Sequence, residues 1–311
     1  MPTPDAAVDT TFDRVVPCPP TLRRQAVLQL AGAHYAAGRR ELAQAVDAHL
    51  EAPDHSWDGL WVAMHGDTLK AALWVQPLPG NMAQLWQPHA VGDAAAALLT
   101  AGRNFMHEQG FALCQTVLTP DDSAAARQLE DAGMRLLAPL EYLTAPVREP
   151  VATPAIRLVP WATLGHDPQI ALLGDVQQGS LDCVALREAL DTQALLAGFL
   201  QQDASAPAHW WAIYLADTAD DAPIGALLLA PRPEVQGIEL LLMGLTPQAR
   251  GRGLGRAVLD AAFAEAYSAG AERVLLSVDT TNTPAYRLYQ RAGFVCYSRQ
   301  QVYAWLTRQG E

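Results

Sequence analysis

The feature that most constrains the fold is an internal repeat, in which landmarks recur about 160 residues apart. Each half contains a glycine that closes a helical stretch, then a strand-like segment, a short helix and a second glycine. In the first half the landmarks are Gly110, 114–119, 124–132 and Gly133, and in the second they are Gly270, 273–280, 285–292 and Gly293. Because the spacing is kept while residue identity is low, we predict two copies of one domain.

The boundary between the copies is a stretch in which Pro146, Pro150 and Pro154 recur. Prolines at this spacing favour extended, solvated backbone of the kind found in linkers. We therefore predict domains at residues 1–145 and 155–311, and the 311-residue length suits two domains. Strands alternate with helices in each half, and some strand-like runs are apolar throughout, which predicts a layered α/β sheet.

The charge of the chain limits the classes of partner it can bind. It has 21 basic and 33 acidic residues, and its formal net charge is −12. This balance argues against a nucleic-acid partner, since such proteins need a basic surface to displace counterions. No secretory signal is visible, and no apolar run reaches the roughly 18 residues that would span a membrane. The four cysteines and eight histidines show no metal or disulfide spacing. Together these features predict a cytoplasmic protein without a metal site.

Residues 245–256 form a segment, LTPQARGRGLGR, that follows an apolar strand and opens an amphipathic helix. Its glycines leave room for several backbone N–H groups to converge on an anion, and the helix N-terminus adds about half a positive charge. Its glycines and arginines are Gly251, Gly253, Gly255, Arg250, Arg252 and Arg256. The segment predicts a pyrophosphate site, although a glycine-rich turn kept for packing is the alternative. It fits neither a Rossmann fingerprint nor a lysine-bearing P-loop.

A second segment, residues 282–294, reads NTPAYRLYQRAGF. Together the two segments resemble the GNAT superfamily of acetyl-CoA-dependent N-acyltransferases. In that family the pyrophosphate loop reads Q/R-x-x-G-x-G/A and a later helix reads N-x-x-A-x-x-L-Y-x-x-x-G-F. The matching positions are Arg250, Gly253, Gly255, Asn282, Ala285, Leu288, Tyr289, Gly293 and Phe294.

This resemblance implies a mixed-sheet GNAT fold of the α/β class for residues 155–311, with acetyl-CoA as cosubstrate. The backbone of residues 243–245, where the family carries a strand bulge, is expected to bind the thioester carbonyl and the pantetheine arm. Asn282 is expected to contact the cofactor, although a helix N-cap role would also explain it. The implied cofactor-binding residues are Met243, Gly244, Leu245, Arg250, Gly251, Arg252, Gly253, Leu254, Gly255, Arg256, Asn282, Ala285 and Tyr289.

The resemblance also implies a mechanism, in which an amine attacks the thioester directly through a tetrahedral intermediate. Glu239 lies six residues before Leu245 in an apolar strand, the spacing of the general base in several family members. An edge-exposed glutamate without a catalytic role is the alternative. Tyr289 is the implied general acid, although a phenol near pKa 10 is a weaker acid than a thiol near 8.5. The implied acceptor is a primary amine of a small molecule.

The first half lacks these residues. At the same offset Gly253, Gly255 and Tyr289 correspond to Asp93, Ala95 and Leu129, and Arg250 corresponds to Ala90. We therefore predict that the first domain is degenerate and acts as a scaffold. The tandem arrangement distantly resembles mycothiol synthase, and it is compatible with a monomer built as an internal pseudo-dimer or with a homodimer.

The acceptor has no readable signature in the sequence. Asp175, Asp182 and Glu234 could line an acceptor cleft and attract a cationic amine, although ordinary solvated acids are favoured. Three alternatives remain for the function. They are a non-catalytic acyl-CoA sensor, transfer of a longer acyl chain, and acetylation of a thiol-precursor amine in the manner of mycothiol synthase.

Overall fold

The computed structural model of the chain divides into two compact units. Unit 1 comprises Met1–Leu136 and Val302–Glu311, and unit 2 comprises Leu137–Gln301. The residues that the structure describes are 11–33, 39, 42–43, 45–47, 57–78, 80–89, 91–153, 155–184, 191–202, 206–216 and 222–307. The domains predicted at 1–145 and 155–311 follow the repeat along the chain, whereas the compact units divide at other positions, because the last strand of the chain ends in unit 1.

Unit 1 is built on a mixed sheet. Its strand order is β1-β2-β3-β4-β5, followed by residues 302–306 of the C-terminal strand. The pairs β1–β2, β2–β3 and β3–β4 are antiparallel, and the pair β4–β5 is parallel. The elements are β1 (Arg14–Pro17), α1 (Arg23–Ala33), β2 (Leu60–His65), β3 (Thr68–Leu78), β4 (Met82–Trp86), α2 (Asp93–Gln109), β5 (Leu113–Leu118), α3 (Ser123–Asp131) and the start of β6 (Arg135–Pro146).

Strand β3 shows how the core of unit 1 forms. Leu73 and Val75 pack on the face that carries the buried side chains of α2, whereas Ala72 and Trp74 pack on the opposite face with Leu30 of α1. Successive side chains of a strand point to opposite faces, so a run that is apolar throughout is buried on both sides. The sheet of unit 1 is therefore a central layer between helices.

Unit 2 contains the two motifs found in the sequence. Its strand order is β12-β6-β11-β10-β9-β8-β7, with β10 and β11 parallel to each other. The elements that follow β6 are β7 (Ile156–Pro160), α4 (His166–Gln177), α5 (Thr192–Gln202), β8 (Trp210–Leu215), β9 (Gly225–Arg232), β10 (Gly237–Leu245), α6 (Leu254–Ser268), β11 (Arg273–Asp279), α7 (Thr283–Arg291) and β12 (Val295–Leu306).

The sheet of unit 2 is also covered on both faces. Leu227 and Leu229 of β9 join the core formed with α6, whereas Leu228 joins the core formed with α4 and α5. Phe263 of α6 is 1% exposed and packs on Phe294, at a ring-centroid distance of 5.7 Å. This packing holds α6, which begins directly after the glycine-rich segment, against the sheet.

The structure confirms the predicted mixed α/β class. The bounds of α3 and α7 differ by 160 at both ends, as do those of β6 and β12, so the repeat extends to whole elements. The apolar pattern near the end of the sequence predicts two separate strands, near 294–298 and 302–306, and this prediction was wrong, because β12 is one unbroken strand. None of the described helices is both long and apolar enough to cross a membrane.

Candidate functional site

Strands β10 and β11 separate partway along their length. They pair in parallel where Gly237–Leu240 lies beside Arg273–Leu276. Strand β10 then continues along β9 to Leu245, with a register shift between Leu240 and Leu242 that leaves Leu241 as a bulge. A bulge leaves backbone groups outside the ladder and bends the strand. The bulge that the family resemblance implied is therefore present, a little before residues 243–245.

A cavity of about 640 Å³ opens where the two strands separate. Four segments line it: the end of α4 and the residues after it, the last half of β10, the glycine-rich loop with the start of α6, and the stretch from the end of β11 into α7. A volume of several hundred Å³ is typical of a small-molecule site. The two sequence motifs thus meet around one cavity.

The glycine-rich loop leaves the N-terminus of α6 open. Gly251 and Gly253 have φ angles of 73° and 77°, in the left-handed region where a side chain is strained. Gly253 is the N-cap residue, and it supplies no capping side chain, while the first turn of α6 contains no acidic residue. The first N–H groups of a helix have no intrahelical acceptor, so they are available to an anion in the cavity.

The guanidinium of Arg250 binds backbone carbonyls in the cavity wall. Its guanidinium donates from Nε to the carbonyl of Leu245 at 3.0 Å, from Nη1 to that of Gln178 at 2.7 Å and from Nη2 to that of Val176 at 2.7 Å. These bonds fasten the end of α4 to the end of β10. The guanidinium therefore holds the cavity wall, and this role explains the arginine without a contact to phosphate.

The other two arginines of the loop differ from each other. Arg256 donates from Nε to Asp260 at 2.8 Å, and Asp260 also accepts from Arg148 at 2.8 Å. Arg256 lines the cavity, whereas Arg252 is exposed and does not. Every other residue predicted to bind the cofactor lines the cavity. Their role as cofactor ligands stays a prediction.

Asn282 caps helix α7. Its Oδ1 accepts from the backbone N–H of Ala285 at 3.4 Å, so Asn282 has the helix N-cap role considered for it above. Both residues also line the cavity. A side chain that caps a helix at a cavity wall holds that wall in place, so capping and ligand contact are compatible roles.

Tyr289 lies in the cavity wall with its ring packed against Phe294, at a centroid distance of 5.6 Å. It is 5% exposed, and its hydroxyl has no hydrogen-bond partner in the part of the chain that the structure describes. Burial raises the pKa of this phenol, and the charge of Asp182 raises it further. The hydroxyl therefore stays protonated at neutral pH and is free to donate into the cavity.

Glu239 does not line the cavity. Its carboxylate accepts from Arg232 Nε at 2.7 Å and forms an ion pair with Nη2 of the same arginine at 2.6 Å. Its charge also contributes to raising the pKa of Tyr297, after the larger effect of burial. The predicted base is thus placed on β10 beside the point of separation, but it is paired with a cation.

The sequence did not predict the segment after α4 as part of the site. Ser180, Leu181 and Asp182 line the cavity, and of the three acids considered for an acceptor cleft only Asp182 does so. No local motif marks this segment. The segment reaches the cavity because Val176 of α4 packs against Gly244, where any side chain would collide with the Val176 methyl group. No cluster of three or more metal-ligating side chains is present among the described residues.

Comparisons with known proteins agree with this geometry. Residues 182–294 match the family model described as the acetyltransferase (GNAT) family. A mycothiol acetyltransferase from Thermobispora bispora is 35% identical over 95 residues, which is 30% of this chain and 28% of that protein. The matched segment thus spans less than a third of that relative.

Two solved structures have a similar fold. A GCN5-related N-acetyltransferase from Sphaerobacter thermophilus superposes with a TM-score of 0.58 at 19% identity, covering 92% of this chain and 95% of that one. A tandem GNAT protein from the clavulanic acid biosynthesis pathway superposes with a TM-score of 0.53 at 16% identity, covering 94% and 98%. The predicted tandem GNAT fold is confirmed. Residues 182–294 are accordingly similar to domains of the acetyltransferase (GNAT) family.

Proposed function

We propose that this protein transfers an acetyl group from acetyl-CoA to a primary amine of a small molecule. The observation that carries the proposal is that one cavity is lined both by the uncapped N-terminus of α6 and by the unpartnered hydroxyl of Tyr289. The first feature suits a pyrophosphate and the second suits a departing thiolate, and acetyl-CoA contains both groups.

The residues of the cavity fit acetyl-CoA at several points. The pyrophosphate is assigned to the N–H groups of Leu254, Gly255 and Arg256, where the helix dipole favours negative charge. The backbone of residues 243–245, beyond the bulge, is assigned to the pantetheine arm and the thioester carbonyl. N–H donors aimed at that carbonyl stabilise the oxyanion that forms when the amine attacks.

Tyr289 is assigned the role of general acid. As the tetrahedral intermediate collapses, the C–S bond breaks and the sulfur takes the hydroxyl proton. The raised pKa of Tyr289 keeps this proton in place before the reaction, but it also makes the donation less favourable. The transfer therefore depends on the short, preorganised path that burial of the ring provides.

Glu239 is the base that the family resemblance implies. To accept a proton, its carboxylate must first leave the ion pair with Arg232, or a water must connect it to the amine. Acid catalysis by Tyr289 is therefore better supported than base catalysis by Glu239.

One class of acceptor is favoured by the comparisons. The similar proteins include a mycothiol acetyltransferase, which suggests the amine of a thiol precursor as the first acceptor to test. The wider class is any small molecule with an accessible primary amine.

The test is thiol release from acetyl-CoA in the presence of a panel of primary amines, with binding of acetyl-CoA followed by calorimetry. Tyr289→Phe is expected to lower kcat by about 100-fold, because general acid catalysis is typically worth that much. Its affinity for acetyl-CoA should change little, since the ring is kept. Tyr267→Phe is the matched control, because Tyr267 is exposed on α6 and outside the cavity.

Two results would contradict the proposal. Equal kcat for Tyr289→Phe and the unaltered protein would remove Tyr289 from the chemistry. Tight binding of acetyl-CoA without turnover on any amine would indicate a non-catalytic acyl-CoA sensor.

A further inference from the structure

Asp182 occupies a fixed position in the cavity wall. It follows α4 by a few residues, and Arg250 fastens the carbonyls of Val176 and Gln178 to the end of β10. The chain turns at Gly179, whose φ is 63°, between Gln178 and Asp182. The backbone N–H of Asp182 donates to Ser180 Oγ at 3.2 Å, and its carboxylate accepts a hydrogen bond from the backbone of Asp279. These bonds, with those of Arg250, hold Asp182 beside the cavity.

The carboxylate of Asp182 lacks a cationic partner. No arginine, lysine or histidine pairs with it among the residues described. Asp182 keeps an exposed surface and lines the cavity. Desolvation by the neighbouring protein atoms, together with the charge of Asp279, raises its pKa, and a hydrogen bond from the Asp279 backbone opposes that rise. The titratable groups that face it are Asp279 at the end of β11, Tyr289 on α7 and the neighbouring thiol of Cys183.

Tyr289 supplies an independent indication of a ligand at this place. Its side chain is 5% exposed and lines the same cavity, and its hydroxyl has no partner within the described part of the chain. A buried hydroxyl without a partner costs free energy unless a ligand or water bonds to it. The carboxylate and the phenol therefore both face a position that a hydrogen-bonding cation would satisfy.

We propose that Asp182 binds the ammonium group of the acceptor and accepts its proton. The inference rests on the proposed acetyl transfer and names the acceptor class, an amine that arrives as a cation. An ammonium group offers three N–H donors, enough for the Asp182 carboxylate and the Tyr289 oxygen together. Asp182 and Asp279, for which no described residue supplies a counter-cation, attract such a group and repel an acceptor that has an anion next to its amine.

The proton balance of this step closes. One ammonium proton moves to Asp182 and leaves a neutral amine, whose lone pair forms the C–N bond to the acetyl carbon. As the C–S bond breaks, the sulfur takes the Tyr289 proton. The second proton on nitrogen then returns to the Tyr289 oxygen, and Asp182 releases its proton to solvent through the cavity. The products are an amide, a thiol and one free proton.

Asp182 suits this step better than Glu239 does. A general base must lie within hydrogen-bond reach of the proton it takes, and Asp182 lines the cavity whereas Glu239 does not. Glu239 also forms an ion pair with Arg232, whereas no described residue forms an ion pair with Asp182. The raised pKa of Asp182 also makes it a stronger proton acceptor than an ordinary aspartate.

The experiment compares Asp182→Asn, Asp182→Glu and Glu239→Gln with Asp175→Asn, an exposed α4 acid outside the cavity. We expect Asp182→Asn to lower kcat by about 100-fold. In the unaltered protein kcat should fall as the pH drops through the raised pKa of Asp182, since a protonated carboxyl accepts no proton. This acidic limb should vanish in Asp182→Asn and persist in Asp182→Glu and Asp175→Asn. Calorimetry should show unchanged affinity for acetyl-CoA in all four variants.

The outcomes separate this inference from the proposed function. If the unaltered protein turns over an amine and Asp182→Asn keeps both its rate and its acidic limb, Asp182 is not the base. Loss of the limb in Glu239→Gln alone would return that role to Glu239. If the unaltered protein releases no thiol with any amine, the proposed function fails first and this inference fails with it.

Discussion

Helices α2 and α6 occupy corresponding places in the two halves of the repeat, yet their N-termini are occupied differently. In unit 1, Asp93 lies in the first turn of α2, and Gly92 N–H donates to Gln128 Oε1 at 2.9 Å. In unit 2, the first turn of α6 has no acid, and Gly253 supplies no capping side chain. Both N-cap residues are glycines without a capping side chain, so the two helix ends differ in the carboxylate of Asp93 and in the Gln128 acceptor, which are present in unit 1 only.

The strands that precede these helices differ in the same sense. Strand β4 pairs with β3 without a register shift and ends at Trp86, whereas β10 bulges at Leu241 and continues to Leu245. The position of Tyr289 is taken in unit 1 by Leu129, which is 1% exposed. An architecture can therefore be kept while its ligand-binding groups are lost. These contrasts support the prediction of a degenerate first domain.

The largest effect is expected when Asp93 of the first half is copied to the corresponding position of the second half, Gly253. Gly253→Asp puts a carboxylate at the pyrophosphate position, and we expect the Kd for acetyl-CoA to rise about 100-fold, or about 3 kcal/mol for one repulsive pair at close range. Gly253→Asn is the matched control, since it carries the same left-handed strain without the charge. Calorimetry at two salt concentrations measures the difference, which should shrink at high salt. Equal affinities for the two variants would show that no anion binds at this position.

A second test asks whether Arg250 acts through its charge or its shape. Its counterpart in the first half, Ala90, lies outside the described residues. Arg250→Lys and Arg250→Gln should each lower the free energy of unfolding by about 2 kcal/mol, because a lysine cannot form the fork that reaches three carbonyls. Denaturant unfolding measures this, with Arg252→Gln, an exposed neighbour, expected within about 0.5 kcal/mol of the unaltered protein. Retained stability in Arg250→Lys would favour a purely electrostatic role.

The smallest effect is expected in unit 1. Gln128→Ala removes the acceptor of the Gly92 N–H and should cost about 1 kcal/mol of stability, as the loss of a helix-end hydrogen bond typically does. Arg127→Ala, an exposed change on the same helix, is the control. Calorimetry should still find one acetyl-CoA per chain in Gln128→Ala. A stoichiometry of two would mean that only this side chain closes the first site, and the halves would then be nearly equivalent.

Much of the site could be predicted because its signals are local. Gly253 and Gly293 mark turns that need a left-handed φ, and the amphipathic helix predicted to open at the glycine-rich segment is observed at Leu254–Ser268. Tyr289 follows from a motif within one short helix. Such features depend on neighbours a few residues away, so one sequence contains them in full.

Other parts could not be predicted because they join distant segments. The bulge at Leu241 lies in a run of three leucines that nothing distinguishes, and the partners of Arg250 are carbonyls, which any residue supplies. The pair of Glu239 with Arg232 depends on the register of β10 against β9. Sequence spacing predicted where Glu239 lies on its strand but not the neighbour that its side chain meets.

The sequence by itself determined the repeat, the open helix end and the likeness to an acyltransferase domain, since backbone freedom at glycine and apolar periodicity are properties of short stretches. Only the tertiary structure decided which charges face the cavity. It directs Arg250 to backbone carbonyls and pairs Glu239 with Arg232. It leaves Asp182 near Tyr289 without a cationic partner among the described residues. The direction of a charged side chain depends on the nearest opposite charge or carbonyl in space. Packing of α4 against β10 supplies that partner for Arg250, and the register of β10 against β9 supplies it for Glu239.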